Sequence, residues 1–167
     1  SQTITASGGL PPLTWDISAG TRPPGLDLSN VNSNPVTFSG TPTTGGSFTF
    51  TVRVRDSLSP QLSDTQDFTV QILQITTASL PDGVQNQAYG PVSLGVIGNV
   101  GTLSWSAQTP LPDGLALDGV TGTISGTPTV FGTFTVNATV TDTDGPRSVT
   151  RGLGLFIAQE LVLDSTA

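Results

Sequence analysis

The sequence predicts an all-β protein built as two tandem antiparallel β-sandwiches. Three observations carry this reading. The chain repeats itself once along its length, each copy alternates apolar and polar residues with a period of two, and Gly- or Pro-bearing turn signals separate the alternating stretches. No helical periodicity competes with the period of two.

In the first copy, the turn signal Gly8-Gly9 leads to a strand around Trp15, and Pro24-Gly25 closes the next turn. Ser39-Gly40-Thr41-Pro42-Thr43 follows, then a long strand in which Phe48, Phe50, Val52 and Val54 alternate with Thr49, Thr51, Arg53 and Arg55. Such alternation buries one face and wets the other. Phe68, Val70 and Ile72 mark the return strand.

The second copy restates this order. Trp105 matches Trp15, and Pro112-Asp113-Gly114-Leu115-Ala116-Leu117 matches Pro23-Pro24-Gly25-Leu26-Asp27-Leu28. Ser125-Gly126-Thr127-Pro128-Thr129 repeats Ser39–Thr43. Phe134, Val136, Ala138 and Val140 then alternate with Thr135, Asn137, Thr139 and Thr141, and Leu153, Leu155 and Ile157 restate the return strand. Repeat one therefore spans 1–74 and repeat two 75–159. A repeat of about 85 residues can hold its own core, though a thin one. The single Trp of each copy is expected to plug that core.

The copies differ at their openings. Aligning Trp15 with Trp105 sets Ser1 against Pro91, so repeat one has no counterpart to its partner's first strand, roughly 75–90. Residues 160–167 fall where a further repeat would open. They read as an extended tail, either a donor strand or the start of such a repeat. Leu161 and Leu163 share one face if the tail is extended, with Val162 opposite, and these three are the candidate assembly residues.

Composition narrows the function. Charged residues make up 10% of the chain, against about a quarter in ordinary soluble proteins. Cys and His are absent, which removes disulfides, thiolate metal sites and the usual general base. The five cations are all Arg, so Schiff-base chemistry is excluded as well. A net charge of −7 with scattered Arg cannot neutralise a phosphate backbone, so nucleic acid is not an expected partner. No apolar run is long enough to span a membrane.

A catalytic carboxylate pair is conceivable, but most Asp residues sit beside Gly, Pro, Ser or Thr, where Asp serves turns. Calcium is the one candidate cofactor. Asp142-Thr143-Asp144-Gly145 places carboxylates at alternating positions after a strand, the spacing oxygen ligands need, while a solvated turn explains the same residues without metal. Asn137-Ala138-Thr139 is a glycosylation sequon of a kind that chance supplies in a Thr-rich chain.

The run 111–128, Leu-Pro-Asp-Gly-Leu-Ala-Leu-Asp-Gly-Val-Thr-Gly-Thr-Ile-Ser-Gly-Thr-Pro, followed by Phe131-Gly132-Thr133-Phe134-Thr135-Val136 and Val140-Thr141-Asp142, resembles the immunoglobulin-like repeat of bacterial surface proteins. That family is related to cadherin-like domains of dystroglycan type. The resemblance covers nearly the whole chain, twice. It implies immunoglobulin-like or cadherin-like sandwiches in an extracellular or cell-surface protein, serving as stalk, sheath or fibre. The expected partners are proteins: other copies of this chain, joined head to tail by strand donation, or neighbouring repeats. The alternative is an adhesin module that binds carbohydrate or another surface, or a spacer beside a catalytic domain outside this chain.

Overall fold

The computed structural model describes residues 1–145 and 147–163, and these contain strands, turns and coil without a helix. The chain divides into two compact units, Ser1–Ile72 and a second beginning at Leu73. The division falls just ahead of the spacing of the repeat because Leu73 already packs against the second core.

The first unit has six strands: β1 (Gln2–Ile4), β2 (Thr14–Gly20), β3 (Leu26–Ser29), β4 (Val36–Gly40), β5 (Gly46–Arg55) and β6 (Ser63–Ile72). They form two antiparallel sheets, β1-β4-β3 and β2-β5-β6. The alternation along β5 decides which side faces in: Phe50 and Val52 are 2% and 3% exposed, while Ser47 and Thr49 face water. The register sets Phe50 opposite Phe68 of β6, with ring centroids 6.0 Å apart, and Phe38 of β4 closes on Phe50 at 5.1 Å. Trp15 and Val36 complete this small core.

The second unit has nine strands: β7 (Gln74–Ile75), β8 (Gly83–Val84), β9 (Tyr89–Ser93), β10 (Val96–Ile97), β11 (Leu103–Ala107), β12 (Leu115–Leu117), β13 (Thr123–Gly126), β14 (Gly132–Asp142) and β15 (Arg147–Ala158). The sheet β12-β13-β9 copies β3-β4-β1, and β11-β14-β15 copies β2-β5-β6. Two additions have no counterpart in the first unit. β8 pairs in parallel with the outer edge of β15, and β7 pairs with β10. The resulting core is tighter: Ile75, Ile124, Val140, Leu153, Leu155 and Ile157 are each at most 1% exposed. Burying one such side chain contributes about 1.5–3 kcal/mol.

The Gly-Thr-Pro signature has a steric cause. Gly126 (φ +140°) ends β13 opposite Leu115 of β12, and Gly114 (φ +91°) lies just before it. The two backbones run so close that a Cβ on Gly126 would overlap the carbonyl oxygen of Gly114, and one on Gly114 that of Thr127. Gly25 and Gly40 reproduce this pair in the first unit.

Candidate functional site

The sequence offers three places to compare with the structure: the Asp142–Asp144 turn, the Trp positions and the tail. Asp142 ends β14 as a fully buried carboxylate. Its Oδ2 accepts from the backbone N–H of Val100 at 2.8 Å and from Arg147 Nη2 at 2.8 Å, and its Oδ1 accepts from the N–H of Asp144 at 3.4 Å. This is not the solvated turn residue that the sequence suggested as the alternative to a calcium ligand. Asp144 is exposed and folds over Gly101. Among the described residues no group of three carboxylates or imidazoles lies close enough to hold a metal ion.

The first unit builds the same device with Asp56, 4% exposed at the end of β5. Its carboxylate accepts from the N–H groups of Leu10, Leu58 and Leu62. Leu10 and Val100 stand at matching places before the two Trp strands, so each carboxylate ties one loop to a strand end 46 or 42 residues away in sequence. Asp56 and Asp142 share the offset that carries Ser39 onto Ser125, so the repeat itself sets them in matching places, while their role rests on the bonds they accept.

These bonds hold both carboxyls below their ordinary value. For Asp142 the Val100 N–H is the main cause, burial opposes it, and Arg147 adds to it. For Asp56 burial works against the charge, and the N–H groups of Leu62, Leu10 and Leu58 outweigh it. A carboxyl with a lowered folded value takes up its proton more readily in the unfolded chain. The stability it contributes is therefore whole above the ordinary value of 3.8 and drains away as pH falls through the lower folded value. Melting curves from about pH 6 to about pH 3 should show both units losing stability at the acid end. Asp56→Asn with Asp142→Asn should flatten that profile, and an unchanged acid slope in the double variant would refute the assignment.

Both Trp side chains lie where the repeat placed them, Trp15 on β2 at 7% exposure and Trp105 on β11 at 6%. Tyr89 is also buried, its hydroxyl donating to the Pro81 carbonyl at 3.0 Å. The outward Arg53 and Arg55 pair with Asp16 at 2.7 and 3.6 Å, and such half-exposed surface pairs contribute little. Asn137 of the sequon is half-buried on β14.

The tail is described as far as Leu163, and residues 164–167 lie outside the described residues. Glu160 accepts from Asn86 Nδ2 at 2.7 Å. Beyond it Leu161, Val162 and Leu163 are 92%, 71% and 93% exposed.

The missing counterpart of the first strand predicts an open groove in repeat one, and the first unit holds two spaces against its core. One cavity of about 320 Å³ lies between its two sheets, against Leu26, Phe38, Phe50, Phe68 and Val70. A second of about 310 Å³ lies against Ile4, Ala6, Trp15, Val52, Val54 and Phe68.

Comparison with known proteins gives a family and several relatives. Residues 1–73 and 74–155 each match the family described as "Putative Ig domain". The chain is similar to the "Serine-rich adhesin for platelets" of Staphylococcus aureus (strain USA300), 32% identical over 165 residues. The match covers 90% of this chain and 7% of the adhesin, so the chain spans only a small part of the curated relatives it matches. Among solved structures it is similar to protocadherin gamma B2 extracellular cadherin domains 3-6, at 18% identity, 89% of this chain, 44% of that one and a TM-score of 0.43. It is also similar to an endo-fucoidan hydrolase from glycoside hydrolase family 107, at 20% identity, 90% and 24% coverage and a TM-score of 0.43.

Proposed function

Since the chain belongs to the Putative Ig domain family, which it matches twice, we propose that it is a structural module of an adhesin-type protein, acting through folded shape and surface contact without catalysis. The module is extracellular or carried on the cell surface. Similarity to a platelet adhesin supports contact with proteins or surfaces in general. The observation that carries the structural role is the burial of all three Trp and Tyr side chains, which leaves no Trp or Tyr platform on which sugar rings could stack.

Retention on a glycan array tests this. The 167-residue chain should bind no sugar above background. Saturable binding to one glycan class would overturn the structural reading and make the chain a carbohydrate-binding adhesin module.

The reading requires no metal, because the Asp142 carboxylate is already engaged by Val100, Asp144 and Arg147. Its finer form is head-to-tail joining of copies, with the segment 160–167 as donor. The bare apolar side chains of Leu161, Val162 and Leu163 favour it.

A further inference from the structure

We propose that the outer face of the sheet β11-β14-β15 is a self-association surface. Two copies of the chain pack these faces together about a two-fold axis at Gly154, with Phe156 of each seated over Gly152 of the other. The inference goes beyond the adhesin reading and does not rest on it.

The two units share a fold but not this surface. In the first unit the same face is charged: Asp16 of β2, Arg53 and Arg55 of β5 and Asp67 of β6 stand on it. Arg53 bonds to Asp16 at 2.7 Å, and Asp67 accepts from Thr51 at 2.7 Å. In the second unit Ser106, Thr139, Thr141 and Gly152 hold those places. Among the described residues, the outward side chains of β11, β14 and β15 include none with a charge. A chain of net charge −7 repels its own copies, and a face without charge lets two of them meet with no like charges opposed. A charged partner finds no opposite charge on it.

Covering this face leaves its polar groups satisfied. The Thr139 and Thr150 hydroxyls bond to each other at 2.7 Å, and Thr141 Oγ1 donates to Ser148 Oγ at 3.2 Å. Both pairs keep their partners when water is excluded.

The other half of the face supplies the fit. Gly152 and Gly154 leave β15 bare at two successive outward positions, opposite Asn137 and Thr135 of β14. A Cβ on Gly154 meets nothing within 4 Å, so the floor there is open. Phe156 follows on the same side of the strand, opposite Thr133 and 46% exposed. The first unit has Thr69 and Gln71 where Gly154 and Phe156 stand. A closed two-fold contact needs one surface that carries both a projection and the hollow for it. Turning one face onto another about an axis that crosses β15 at Gly154 reverses the strand. Phe156 of each copy then meets Gly152 of the other. About 30 Å of overlap along three strands spaced about 4.8 Å covers roughly 450 Å² on each copy. A total on the order of 900 Å² belongs to the weak, reversible class of contact.

Sedimentation equilibrium of the full chain from about 10 µM to about 1 mM tests this. The mean mass should rise from 17.1 kDa toward twice that value. Gly154→Arg should melt with the native chain and dimerise at least about tenfold more weakly, because the axis sets the two Arg side chains against each other. Gly154→Asp should do the same, and an equimolar mixture of the two variants should regain the dimer. Phe156→Gln should also weaken it. Thr69→Arg, at the matching place in the first unit, should change nothing. Leu161→Asp with Leu163→Asp should also change nothing, which separates this contact from donation of the tail. A chain still monomeric at about 1 mM, an undiminished Gly154→Arg dimer, a mixture that does not pair, or association lost through Thr69→Arg or the tail variant would each overturn the proposal. None of these outcomes touches the glycan result, so the two readings fail separately.

Discussion

Gly126→Ala lowers the melting temperature of the second unit by more than about 12 °C. The position combines a φ of +140° with a facing carbonyl, that of Gly114, in the space a methyl group would need. Placing a side-chain-bearing residue in that region of backbone space costs about 1–3 kcal/mol by itself. Moving β13 away from Gly114 also disturbs the register of Leu115 with Gly126 and of Leu117 with Ile124, whose side chain is fully buried. A total on the order of 3 kcal/mol corresponds to the stated shift for a domain of this size. Gly40→Ala should do the same to the first unit. Gly154→Ala is the control, since a Cβ there meets nothing within 4 Å, and it should leave melting unchanged or slightly raised. Circular dichroism melts of the three variants decide the matter. A Gly126→Ala protein that melts with the wild type would show that the close backbone approach is not needed.

Trp105→Ala should cost the second unit about 3–5 kcal/mol. The ring is 6% exposed and lies over Gly122. Its removal opens a cavity under Val140, its partner across β11 and β14. The measurement is convenient because each unit holds one Trp. In the variant, the fluorescence of Trp15 reports the first unit alone during urea unfolding, while circular dichroism reports both. The expected result is an early circular dichroism transition with an unshifted Trp15 transition. A loss under about 1 kcal/mol would mean that the ring is not the plug of its core.

The fold was legible because its signals are local and occur twice. Alternation in β5 and β14 gave the buried faces, and the repeat carried Trp15 onto Trp105 in equivalent buried sites. The Gly-Thr-Pro runs were legible as a signature, but their cause was not, since it lies in two backbones meeting across β12 and β13. Asp142 was the harder case. In sequence it sits among turn residues, and alternation with Asp144 suggests oxygen ligands. What fixes its role is the N–H of Val100, distant along the chain and invisible to spacing. The signal that could have found it was the repeat: Asp56 holds the same place, with no second Asp two residues on. The cavities of the first unit were half legible. The sequence showed which strand had no counterpart, while the space beside Phe68 required the two sheets to be in place.

The parallel pairing of β8 with β15 has a mechanical consequence. When the second unit is pulled by the chain on either side of it, these two strands are drawn along their lengths in opposite directions. The bonds from Leu80 to Gly154 and from Gln85 to Ala158, and the pairing of Gly83 and Val84 with Ile157 and Ala158, are then loaded together in shear. An antiparallel terminal pair would instead be peeled open one bond at a time. The docked opening segment thus acts as a clamp. Under load, the second unit resists extension up to the joint failure of the patch.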